Sequence, residues 1–132
     1  MRSITVATTV TATAAWGDAV VVCDRASGIV ELDVEGNRQV FTDFVDPAAV
    51  ALSSDAVFVA EEAARRVVRV DRATGERTVL ATALPFGSPV AGIANGAGPP
   101  SLCADRDGSL IVGCSGDASI RRLKSQPGQI GV

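Results

Sequence analysis

The sequence has no histidine and no tyrosine. Lacking histidine, it has neither the usual general base near neutral pH nor the commonest zinc ligand, and no Ser-His-Asp triad is possible. Aromatic residues make up only 4%, as one Trp and four Phe, so the core must be built from Val, Ala, Leu and Ile. There is no run of 18 apolar residues, which excludes a membrane-spanning helix and argues against a membrane partner. Basic residues are in the minority. Twelve Lys and Arg stand against fifteen Asp and Glu, a formal charge of −3. Nucleic-acid binders normally show a basic face, so no nucleic-acid partner is expected. The three cysteines, Cys23, Cys103 and Cys114, are odd in number and fit no metal spacing. They read as small buried residues of a reducing compartment, and the expected localisation is cytoplasmic.

What is present is a single domain's worth of chain. The 132 residues, 47% of them apolar, can bury a core and argue against disorder. At the N-terminus, Arg2 followed by Ile4–Ala15 loosely resembles a signal peptide, with Ala12-Thr13-Ala14 as a cleavage-like site. Four Thr within Thr8–Thr13 make a poor apolar centre, and the same residues fit a strand.

An internal repeat organises the rest. Ala19–Asp24 aligns with Ala56–Glu61 at an offset of 37, and Ile29–Asp33 aligns with Val67–Asp71 at 38. Gly36 meets Gly75 and Val40 meets Val79 at 39. Each added residue falls in a loop, where insertion costs little. A third copy follows at an offset of 53, with Leu110-Ile111-Val112 on Val57-Phe58-Val59 and Ser119–Leu123 on Arg66–Val70. Each copy opens with a small apolar strand: Thr11–Ala15, Ala48–Leu52, Leu102–Ala104. A tight turn leads to a second, more hydrophobic strand, as suits one buried on both faces. The Asp107-Gly108 turn between two apolar runs is a hairpin signal. A polar loop, an alternating third strand and a Gly-bearing turn lead to a fourth strand, Arg38–Phe41 and Arg77–Ala81. Ala60–Val68 contains good helix formers, but the matching stretches Asp24–Gly28 and Cys114–Ser119 favour turns, so a loop is expected at all three places. Four antiparallel strands in about 40 residues have the dimensions of a propeller blade.

Asp71–Arg77 and the run from Pro100 to Val112, a Pro-led strand, Asp-x-Asp-Gly and an apolar strand, resemble blade motifs of NHL-type propellers and of the senescence-marker/gluconolactonase-like propellers. The resemblance spans about Thr11–Leu123. It implies an all-β fold, a partial β-propeller of about three four-stranded antiparallel blades. These cover approximately residues 11–45, 46–84 and 99–132, with an inter-blade insertion at 85–98. Such families usually close about six blades in one chain. Here two copies are complete, and the third loses its pattern after Leu123. The strand Ile4–Val10 is placed to fill a blade edge. Three blades do not close a ring, and Val- and Ala-rich faces would be left at both ends. We therefore expect a homo-oligomer, with a head-to-tail pair as one form, or the missing blades of a longer product, over a stable monomer.

Candidate site residues follow from the blade layout. In a propeller the loops from second to third strands share a side with the inter-blade connections. Their first residues here align as Asp24, Glu61 and Cys114. Two acids at matched positions could share a divalent cation such as Ca²⁺, and the lactonase-like resemblance implies such a metal held by carboxylates and an Asn, for which Asp24, Glu61 and Asn95 are the available residues. The other reading is that the acids are solvated loop ends. Phe86 and its apolar neighbours in Pro85–Pro100 could cap the channel or meet a partner, or could pack over a blade. Gly92–Gly98 lacks the Lys-Ser/Thr end of a phosphate loop. Arg121, Arg122 and Lys124 read as a solvated edge rather than an anion site. Two functions are carried forward: a non-catalytic scaffold, without cofactor, binding a small molecule or protein; and a piece of a metal-dependent lactonase-like hydrolase or lyase.

Overall fold

The computed structural model describes residues 10–24, 28–33, 35–36, 38–86, 100–114 and 119–124. They form eleven strands in three antiparallel sheets. The first sheet is β1 (Val10–Trp16), β2 (Ala19–Asp24), β3 (Gly28–Leu32) and β4 (Arg38–Phe41), paired in chain order. The second is β5 (Pro47–Leu52), β6 (Ala56–Glu61), β7 (Arg66–Asp71) and β8 (Arg77–Ala81), again in chain order. The third holds β9 (Ser101–Ala104), β10 (Ser109–Cys114) and β11 (Ser119–Lys124), with β10 central. Each sheet is a meander, the form short polar turns between β-branched runs enforce. The fold is all-β, as expected. The fourth strand awaited after Leu123 falls on residues 125–132, outside the described residues, as do residues 4–9 of the leading strand; Val10 opens β1. The helix-forming composition of Ala60–Val68 yields to pairing. Glu61 stands opposite Arg66 in a hairpin closed by Glu62–Arg65, where the Arg65 N–H donates to the Glu62 carbonyl at 3.2 Å.

The turns use local chemistry. At Asp105–Gly108, Gly108 takes a φ of 86°, which non-Gly residues adopt at a cost. The Asp107 carboxylate accepts from the Ser109 N–H at 2.9 Å. The Asp71 carboxylate likewise accepts from the Ala73 and Thr74 N–H groups at 2.9 and 3.0 Å. Gly28 opens β3 at a φ of 92°, and a Cβ there would collide with the Phe41 carbonyl oxygen.

The sheets stack through two apolar cores, and strand alternation assigns each side chain to one of them. In the middle blade, Val50, Leu52, Val57, Val59, Val68 and Val70 face the first blade, meeting Val21, Cys23, Ile29 and Phe41. From the same strands Ala49, Ala51, Ala56, Phe58, Ala60 and Val67 face the third blade, meeting Leu110, Val112 and Cys114. Both β5 and β6 are buried along their whole length. Each fully buried Val contributes about 1.5–3 kcal/mol. The first strands stand side by side, with β1 and β9 flanking β5. Every junction thus joins the face of one blade carrying Val21-type residues to the face of the next carrying Val57-type residues. We call these the trailing and leading faces.

The two ends of the stack differ. On the leading face of the first blade, Val22, Val30 and Leu32 are buried, while Val20 and Val40 are exposed. The trailing face of the third blade carries Ser101, Cys103, Ile111, Ile120, Arg122 and Lys124 in register, with Ile120 79% exposed. This end is largely polar, which corrects the expectation of a Val- and Ala-rich surface at both ends. Cysteine burial also departs from expectation at one place: Cys23 and Cys114 are buried, and Cys103 is exposed on this face.

Candidate functional site

Asp24, Glu61 and Cys114 end the second strands of their blades, at matched positions. All three are buried, at 1, 0 and 2% exposure, so none is a solvated loop end. Glu61 is fully engaged. One carboxylate oxygen takes the Arg66 Nε–H, and the other takes the Val45 backbone N–H from the connection between the first two blades. Its carboxylate in turn holds the Arg66 guanidinium more firmly protonated. The loop after β6 is tied on both sides: Glu62 N–H donates to the Asp46 carbonyl at 3.0 Å, and Leu84 N–H to the Arg65 carbonyl at 2.9 Å. Second-to-third-strand loop and inter-blade connections therefore share one side.

Alternation puts Asp24 on the outer, leading face of the first blade with Val20 and Val22, and Glu61 with Val57 and Val59 in the first junction. The sheet of the first blade stands between them. Among the described residues no group of three or more Cys, Asp and Glu is placed to hold a metal. Phe86 is 1% exposed and fills the core of the second junction beside Leu84 and Phe58. Its side chain meets neighbouring blades rather than a ligand at the mouth. Asn95 and Gly92–Gly98 lie outside the described residues.

A different side of the molecule carries concavity. The first turns of all three blades, through Trp16, Ser53–Asp55 and Asp105–Gly108, line a cleft of about 270 Å³ with Phe58 and Arg69 in its wall. A second cleft of about 400 Å³ lies between Glu31, Ser54, Asp55, Asp71, Arg72 and Ala73. Trp16, the sole tryptophan, is 38% exposed. Several of the charges here are paired. Arg69 lies 3.4 Å from Asp55 and 4.0 Å from Asp71. Arg72 grips both carboxylate oxygens of Glu31 at 3.0 and 2.9 Å and donates to the Ser53 and Ser54 carbonyls. Arg122 reaches Asp105 at 2.8 Å and the Ser109 hydroxyl at 2.6 Å. It is a partner in a local network, beyond the solvated edge expected of it.

Donors hold three carboxyls below the usual carboxylate range. The Arg122 guanidinium and the Arg106 N–H act on Asp105, the Ser109 hydroxyl and N–H on Asp107, and the Thr74 and Ala73 N–H groups on Asp71. Such acids stay ionised and accept hydrogen bonds. They are poor proton donors at neutral pH. The arrangement suits reversible recognition of a polar group against one aromatic face. Sequence reading missed this cleft, although three matched turns and a lone Trp at the first of them were its visible signal.

No family model matches the chain, and no curated protein sequence matches it. Solved structures do. Selenomethionine-substituted virginiamycin B lyase from Staphylococcus aureus superposes with a TM-score of 0.58 at 16% identity, covering 89% of this chain and 41% of that one. A chain of the nidogen/laminin complex superposes with a TM-score of 0.54 at 14% identity, covering 86% and 47%. Both neighbours are β-propeller proteins. The fold is that of propeller blades. At these identities the likeness concerns fold alone, and it does not extend to the NHL or gluconolactonase-like families in particular. The chain spans less than half the length of each of these structures.

Proposed function

We propose that the chain is a non-catalytic propeller scaffold that binds a small-molecule or protein ligand, its ring completed by self-association or by further blades. The observation that carries this reading is the Trp16 cleft. Three blades contribute to it, Arg69 in its wall is paired with Asp55, Asp105 is paired with Arg122, and its shifted carboxyls are held ionised. The engagement of both Glu61 oxygens supports the same reading, since it leaves that carboxylate little capacity for a cation.

The second reading is a piece of a metal-dependent lactonase-like hydrolase or lyase. It is favoured by two buried acids at matched strand ends, Asp24 and Glu61, and by a lyase among the solved neighbours. The test is a panel of lactones assayed with and without added Ca²⁺, alongside thermal unfolding in the same buffers. The scaffold reading expects no turnover and no rise in unfolding temperature with calcium. Calcium-dependent turnover that Glu61→Gln abolishes would overturn it.

A further inference from the structure

We propose that the Trp16 cleft takes a neutral carbohydrate, with one pyranose ring laid against the indole. This rests on the scaffold reading above and names the class of its ligand.

The cleft is built where the three blades come together. The first strands stand side by side, and the turn that ends each of them enters the wall. Trp16 is the last residue of β1. Alternation puts it on the same face as Ala14, toward the second blade. Its ring lines the cleft and stays 38% exposed, so an apolar surface faces a polar concavity.

Charge narrows the ligand class. Asp55, Asp105 and Asp107 are the carboxylates of the wall. Against them stand the Arg69 and Arg106 guanidiniums of the wall and Arg122, which holds Asp105 from beside it. Three negative groups meet three positive ones. An ion entering such a site would give up hydration without gaining an unopposed counter-charge. What the site keeps is hydrogen-bonding capacity. Asp55 accepts from the Ser53 hydroxyl at 3.1 Å, and Asp107 from the Ser109 N–H at 2.9 Å, so both carboxylates are oriented. Their side chains remain 72% and 61% exposed, which leaves acceptor lone pairs free. The Arg106 side chain is exposed and makes no hydrogen bond or ion pair among the described residues, which leaves its donors free.

Oriented donors and acceptors beside an aromatic face call for a ligand whose groups do both and which has an apolar side. Hydroxyls donate and accept, and their bonds to ionised carboxylates are charge-assisted. The C–H face of a pyranose supplies the apolar side and packs flat on an indole. The cleft volume of about 270 Å³ lies just below the roughly 300 Å³ at which pockets for drug-sized ligands begin. That suits a single ring, with any further ring left in solvent.

The chain carries its own reporter. With one Trp and no Tyr, its tryptophan fluorescence reports on position 16 alone. The full chain is titrated with neutral probes, the methyl glycosides of glucose, galactose and mannose, N-acetylglucosamine, maltose and cellobiose, and with two charged ones, benzoate and benzyltrimethylammonium. The expected result is a saturable change with at least one sugar, unaltered when salt is raised. By calorimetry that affinity should fall about tenfold in Asp107→Asn and in Arg106→Ala, and Trp16→Phe should bind better than Trp16→Ala, each variant shown folded by circular dichroism. Three results would overturn the proposal. Saturation by benzoate or the ammonium probe alone means the cleft selects charge. A sugar response unchanged in both polar variants means unspecific contact with an open indole. No saturable response to any sugar means the cleft takes no carbohydrate. None of these three touches the scaffold reading, which also admits a protein ligand. Cleavage of a bound disaccharide would do the reverse, upholding the ligand class and ending the non-catalytic reading.

Discussion

The two junctions between blades solve the same packing problem with different materials. The first is built mainly of similar-sized aliphatic residues, Val21, Ile29, Val50, Leu52, Val57, Val59, Val68 and Val70, with Phe41 as its buried aromatic residue and Cys23 beside them. Polar straps running between blades reinforce it. Arg72 of the second blade holds Glu31 of the first, and Arg77 donates to the Asp43 carbonyl at 3.0 Å and to the Thr42 carbonyl, with its guanidinium 4.2 Å from the Phe44 ring centre. The second junction mixes extremes of size. Ala49, Ala51, Ala56 and Ala60 leave space that Phe58 and Phe86 occupy. Close packing demands that small residues on one element be met by large ones from another. In the second junction much of that volume comes from a connection, in the first from the strands themselves.

The sharpest way to break the comparison is Val59→Asp. Val59 is fully buried in the first junction, and an unpaired buried charge costs roughly 3–5 kcal/mol or more, a large part of the about 5–15 kcal/mol that holds a domain together. The expected outcome is loss of the folded state by circular dichroism, and a folded, soluble variant would refute the strand assignment. Next in size, Phe86→Ala should destabilise by about 3–5 kcal/mol in urea titrations, because its alanine-rich surroundings have little bulk with which to collapse. A loss below about 1 kcal/mol would show that Phe86 is not the filler of the second junction.

Arg72→Ala addresses the strap alone. A bidentate pair with half-buried partners is worth about 1–2 kcal/mol at low salt, and the difference from wild type should shrink in 1 M NaCl. The smallest effect is acid sensitivity. The folded carboxyls of Asp71, Asp105 and Asp107 are depressed, whereas in the unfolded chain they titrate near pH 4. Their stabilisation is therefore complete above about pH 4 and lost as pH falls through the lower folded values. Urea midpoints measured from pH 5 to pH 2.5 should fall, and Asp107→Asn should flatten the curve slightly.

The fold was largely legible because β-strands write their alternation into the chain. Val57-Phe58-Val59 and its copies gave the repeat, and Asp107-Gly108 gave the hairpin, from local chemistry alone. Phe86 was only half legible as core, since packing over a blade stood beside capping the channel or meeting a partner. It sits in what reads as an insertion, and only the stacked sheets show that the alanines opposite need it. The role of Glu61 was half legible. Its pairing with Arg66 follows from a short hairpin, but its second partner is a backbone N–H sixteen residues earlier, and backbone donors leave no trace in composition. The Trp16 cleft is a meeting of three turns separated by about 40–50 residues, and each looks like an ordinary turn on its own.

The grip of Arg77 on the chain between the first two blades has an evolutionary side. It takes hold through carbonyl oxygens at positions 42 and 43, which every amino acid supplies. Side chains there can drift without loosening the strap, provided position 43, with its φ of 66°, draws on Gly, Asn or Asp. Position 44 is bound more tightly, because the guanidinium needs an aromatic ring beneath it. Within one short connection, then, the same strap leaves position 42 free to change, narrows position 43 to a few residue types and fixes position 44 as aromatic.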